Sequence, residues 1–194
     1  MADPGPSTPF ERAAAEVRAL AFRRDLVVRE IAAPGGLAPS ALALSADVRP
    51  DDDEDGQSQY GTGRFVLLHD PEGPDAWGGA WRIVSFAQAP LEPEIGSDPL
   101  LADVAWSWLI DALASHGATY HAEAGTATKT LSRGFGSLAE EGDGSQIELR
   151  ASWSPDSSPA GHVQAWAELV CMLAGLPPGS EGIEVFTARR MMRD

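Results

Sequence analysis

The chain has 194 residues, with 29 Asp and Glu against 14 Lys and Arg, and a formal charge of −15. That length suits one medium domain with tails, and the acidity argues against nucleic acid or an anionic membrane as a partner, since both need clustered basic side chains. The single cysteine, Cys171, excludes an intramolecular disulfide or a thiolate cluster and fits a reducing cytoplasm.

Residues 1–7 are Pro-rich and lack the basic start and apolar run of a secretion signal; they are expected to be disordered. No apolar run approaches the length of a membrane span. The first helix opens at Thr8, with Pro9 at its first position and Glu11 completing a capping box. Phe10, Ala13, Ala14, Val17, Leu20 and Ala21 form its apolar face, which predicts a helix to near Arg23. Strands follow over 26–31 and 41–48, separated by the turn residues Pro34, Gly35 and Gly36. Residues 49–63 are an acidic gap, expected to be a flexible loop. Further strands are predicted over 64–69 and 81–87, with a Pro- and Gly-rich loop between them.

Residues 98–117 are the most informative stretch. They read as a helix in which Leu101, Val104, Ala105, Trp108, Leu109 and Ala112 form one apolar stripe, at about 100° per residue. Trp106, Ile110 and Leu113 widen that stripe past half the circumference. Only Asp103, Ser107, Asp111 and Ala114 remain for a wet strip. Such a helix needs cover from two sides, from another helix of the chain or from a partner. Gly117 is placed to close it in a left-handed cap.

A β-prone run over 119–131 and a cleanly alternating strand over 147–153 come next, with Ile147, Leu149, Ala151 and Trp153 pointing inward. The last helix opens at Ser158 and Pro159 and ends at Gly175, with Val163, Trp166, Ala167, Val170, Leu173 and Ala174 as its core face. Residues 8–178 form a single domain, and 179–194 are expected to be a mobile or loosely docked tail. The order α-β-β-β-β-α-β-β-α, without a βαβ repeat, predicts an α+β fold. It has a mostly antiparallel sheet of five to six strands and three helices on one or both faces.

Motifs with chemical content are sparse. Asp51, Asp53 and Asp55, followed by Gly56, match the first half of an EF-hand calcium loop, but Thr62 stands where the bidentate Glu belongs and the flanks are strands. His121, Ala122 and Glu123 copy the H-x-E element of zinc deaminases without the partner P-C-x-x-C. Alternating polar residues on an exposed strand face explain His121 and Glu123 better. His69 and Asp70 at a strand end, with Glu92 and Glu94 beyond the next strand, are candidate acid–base groups, walled by Trp77 and Trp81. Turn chemistry is the bland reading of the same residues, and His116 and His162 read as capping or surface groups. No cofactor motif is present.

Several strings resemble a known family. They are Gly63-Arg64-Phe65-Val66-Leu67-Leu68-His69-Asp70-Pro71, Leu91-Glu92-Pro93-Glu94, Asp98-Pro99-Leu100-Leu101 with Trp106-Ser107-Trp108, and His162-Val163-Gln164-Ala165-Trp166 leading to Ala174-Gly175-Leu176-Pro177-Pro178. Together they resemble an uncharacterised actinobacterial family, domain of unknown function 3000, over residues 9–178, departing from it at 51–59. The resemblance implies a bacterial, cytoplasmic, single-domain protein and transfers no catalytic residue. One lysine, Lys129, against thirteen arginines fits the codon bias of a GC-rich genome. The element order is also similar to small dimeric folds of secretion-chaperone type, with one strand more.

The leading expectation is a non-enzymatic cytoplasmic module that binds a protein partner or homodimerises through Trp106, Ile110 and Leu113, with no nucleic acid, membrane or cofactor involved. The alternative is a small-molecule binder or small enzyme built on His69, Asp70, Glu92 and Glu94.

Overall fold

Capping sets the first helix. In the computed structural model, which describes residues 8–49 and 60–179, the Glu11 amide donates to the Thr8 hydroxyl at 3.1 Å and the Thr8 amide donates to the Glu11 carboxylate at 2.8 Å. This box starts α1 (Pro9–Arg18). The helix stops short of the expected Arg23. Ala19 caps it, and Arg18 is held by a two-nitrogen bond to Glu30 at 2.8 and 2.7 Å. Leu20 and Phe22 still pack on the core, from the turn rather than from a helix.

Six strands form one antiparallel sheet in the order β1-β2-β3-β4-β6-β5. They are β1 (Leu26–Ile31), β2 (Ser40–Val48), β3 (Thr62–His69), β4 (Trp81–Leu91), β5 (Tyr120–Arg133) and β6 (Asp143–Pro155). Register fixes which side chains share a face. Leu44 pairs with Phe65, Phe65 with Ser85, Ser85 with Ala151, and Ala151 with Gly125, so this row crosses five strands on one face.

Every described α-helix covers that face. α4 (Pro159–Leu173) lies over it with Trp166 against Gly63 and Phe65. α3 (Leu101–Ser115) sets Trp106 on Gly125. Phe10 of α1 stacks on His69 and Trp81, each at 6.2 Å between ring centres. α2 (Pro93–Gly96), a single turn, places Gly96 against Ser145. The opposite face carries Arg64, Val84 and Arg150 in the open, with the Arg150 guanidinium 5.5 Å from the centre of the Phe86 ring.

The fold is the expected α+β class with an antiparallel sheet. It has six strands and one helix more than the three expected, because Pro93 turns the segment after β4 into the short α2. The β5–β6 hairpin is longer than its apolar pattern, since pairs such as Ser132 with Gly144 and Arg133 with Asp143 extend it with polar residues. Thr62 and Gly63, read as part of the acidic gap, begin β3.

α4 is the hub of the packing, touching α1, α3 and four strands. It therefore supplies the second cover that α3 demands. The wet strip of α3 falls where its sequence puts it, with Asp103, Ser107, Asp111 and Ala114 exposed. Gly117 closes the helix at φ +61°, a conformation that costs glycine no Cβ clash.

Candidate functional site

The candidate acid–base residues lie at two ends of the sheet. His69 ends β3 and pairs with Trp81 at the start of β4. Its ring is buried, 4.2 Å from the Trp81 ring and flanked by Phe10. Asp70 accepts a bond from the Glu72 amide at 3.0 Å, which is turn chemistry. Glu92 and Glu94 sit beyond the far end of β4, exposed in and before α2. The length of β4 separates the two pairs, about 30 Å at the rise of a strand. Trp81 packs on His69, and the carbonyl of Trp77 accepts from the Ser154 hydroxyl at 2.6 Å. No shared cleft joins these four side chains, so the structure does not assemble the acid–base site expected of them.

The H-x-E element sits on a β-bulge. The β5–β6 register shifts between His121 and Ala124, and Ala122 adopts φ +53°. A left-handed alanine carries strain, and Arg82 holds it, donating to the Ala122 carbonyl at 2.9 Å and to Ser152 at 2.7 Å. Burial lowers the pKa of Arg82 from its usual value. His121 contacts Asp156 at 2.9 Å rather than Glu123. Among the described residues no group of three His, Cys, Asp or Glu is placed to hold a metal ion. Asp51, Asp53 and Asp55 lie outside the described residues, as do residues 1–7 and 180–194.

Two histidine contacts escape sequence reasoning. His116, the cap of α3, meets Glu168 of α4 at 2.7 Å, across 52 residues of chain. That pair lines a cleft of about 170 Å³ with Phe22, Arg23 and Gln164. Ligand sites usually offer about 300–1,000 Å³. Two of its polar walls are already engaged, Arg23 with Asp25 at 2.6 and 2.7 Å and His116 with Glu168. His162 departs from its surface reading altogether: it is fully buried. The Trp153 indole donates to its Nδ1 at 3.0 Å, which leaves the proton on Nε2, facing the Ser157 hydroxyl at 3.2 Å. Burial pushes its pKa down to about 4, so the ring is neutral. The first turn of α4 faces inward onto β6, and a helix wheel alone does not show that.

The α3–β5 border is the remaining candidate. Leu113 is 1 % exposed and belongs to the core. Trp106 is half-buried, its ring lying on Gly125 where a Cβ would clash. Ile110, four residues on and therefore on the same flank, is also half-buried. Beneath them, among the described residues, β5 pairs only with β6 and is the edge of the sheet over its 14 residues. Glycine at 125 is what admits Trp106 so close to the edge. The arrangement offers half-covered apolar side chains beside a row of unpaired backbone groups, which is the chemistry of strand addition rather than of catalysis.

No helix among the described residues is long and apolar enough to cross a membrane. No curated protein and no solved structure matches the chain, so the likeness in element order to secretion-chaperone folds carries no argument. A family model described as "Protein of unknown function (DUF3000)" matches residues 6–184, taking in every element from α1 to α4. The chain belongs to that family of proteins of unknown function.

Proposed function

We propose that this protein is a non-enzymatic module that associates with a second copy of itself through the border of α3 and β5. The observation that supports this reading is the half-exposed pair Trp106 and Ile110 on the flank of α3, beside a sheet edge that no strand among the described residues pairs. Aromatic and branched apolar groups that keep solvent contact in the monomer gain most from being covered. Val104, 37 % exposed, adds to the apolar surface still left on α3. The buried Cys171 and the near absence of lysine support the cytoplasm of a GC-rich, actinobacterial host.

Light scattering at tens of micromolar tests the reading. The wild-type chain should exceed its single-chain mass of 20.5 kDa, and Trp106→Glu should return it to that mass while thermal unfolding stays cooperative. Ile110→Lys, which perturbs the Gly125 contact less, should act in the same direction. A wild-type chain that remains a monomer, unchanged by either substitution, contradicts the proposal.

A further inference from the structure

The two edges of the sheet are unequal. β1 has six residues, with Arg29 and Glu30 in its second half, and Glu30 is tied to Arg18 of α1. Short charged strands of this kind are protected against pairing. β5 has 14 residues and no proline. Across residues 120–132 its only formally charged side chains are Glu123 and Lys129, the one lysine of the chain. They stand at equal distances on either side of Thr126, and this stretch is charge-balanced in a protein of charge −15.

That symmetry has a geometric consequence. When two copies of β5 pair antiparallel about a two-fold axis at Thr126, Glu123 of each lies opposite Lys129 of the other. Alternation along the regular ladder, which begins at Ala124, puts positions 125, 127 and 129 on one face; Gly125 shows it to be the face that α3 covers. Directly opposed residues of an antiparallel pair share a face, so Lys129 of each copy and both α3 helices come to the same side. Gly125 then opposes Ala127, which brings Trp106 of one copy beside the small Ala127 of the other. Glu123 itself lies in the bulge between His121 and Ala124, at the end of the regular ladder and near the Tyr120 hydroxyl, whose pKa burial and the Glu123 charge raise. Lys129 donates to the Asp98 carbonyl at 2.6 Å, and its ammonium has two further donors for a carboxylate.

We infer that the self-association proposed above, on which this step rests, is a continuous-sheet dimer: β5 pairs with β5 of a second copy in the register centred on Thr126, closed by two Glu123–Lys129 pairs. Acidic chains repel one another at large, and this register joins them along their neutral strip.

Charge reversal tests the register, because both side chains are at the surface and neither substitution touches the core. Sedimentation equilibrium should show Glu123→Lys and Lys129→Glu each weakening the dimer about tenfold, since each turns two attractive cross-strand pairs into repulsive ones. The double variant should restore the wild-type constant. If the wild type associates and Trp106→Glu dissociates it, yet the single reversals leave the constant unchanged, the α3 contact stands and the β5 ladder is overturned. Failure of the double variant to restore association overturns the register as well. A wild type that never associates overturns both.

Discussion

Replacing Trp166 by alanine is expected to remove about 3–5 kcal/mol of stability, the range for a large aromatic cut from a closed core. The side chain is 0 % exposed. Its ring tilts on Phe65 with centres 5.5 Å apart, and its indole donates to the Phe86 carbonyl at 3.2 Å. Gly63 makes the fit possible: a Cβ there would come within 2.8 Å of the ring and 2.6 Å of Val170. Alanine at 166 therefore leaves a void above the centre of the sheet and a backbone carbonyl without its donor, and both terms carry the same sign. Total stabilities of small domains are about 5–15 kcal/mol, so this one truncation takes a large share. Urea unfolding reads the result as a lower midpoint at unchanged slope. A loss near 1 kcal/mol would show that α4 is not the hub of the core.

Acidification should destabilise the fold through His162. The folded ring has a pKa of about 4 against an ordinary 6.5. At pH 7 neither the folded nor the unfolded chain protonates it. Between pH 6.5 and 4 the unfolded chain takes up the proton and the folded one does not, so stability falls as pH falls. Below pH 4 both states are protonated and this group adds nothing further. The accumulated loss is about 3 kcal/mol at 1.36 kcal/mol per pKa unit. His162→Gln keeps hydrogen-bonding capacity without the titration. The stability gap between wild type and variant should therefore narrow by about that amount from pH 7 to pH 4. A gap that does not change with pH would mean that His162 is solvated in the folded state.

How far the sequence foretells these features depends on the range of the interaction behind each. Alternation in β6 was legible because its causes are local: Ile147, Leu149, Ala151 and Trp153 are all buried. The cap at Thr8, the start of α4 at Pro159 and the wet strip of α3 were legible for the same reason. The bulge at Ala122 was not, because Arg82 holds it from 40 residues away. Nor was the contact of His116 with Glu168, which depends on how α3 and α4 cross. The width of the apolar arc on α3 showed that a second cover was needed but not what supplied it, and most of that cover is α4 and β5 of the same chain. The separation of His69 and Asp70 from Glu92 and Glu94 was legible, because a β3–β4 hairpin puts the two pairs at opposite ends of β4.

The α3 flank is thus a smaller surface than its sequence alone suggests, and it lies beside β5, the edge strand of the sheet among the described residues. In the proposed dimer strand pairing and helix contact would reinforce each other, since each copy would contribute both on the same side of the sheet. Hydrogen exchange along β5, followed as the protein is diluted, tests self-association at this border most directly. In an unpaired edge strand every second amide points to solvent and exchanges fast. A dimer should protect the outward amides between Glu123 and Lys129 as well as the inward ones, and dilution should release them. Fast exchange of alternate amides at every concentration would contradict pairing at β5.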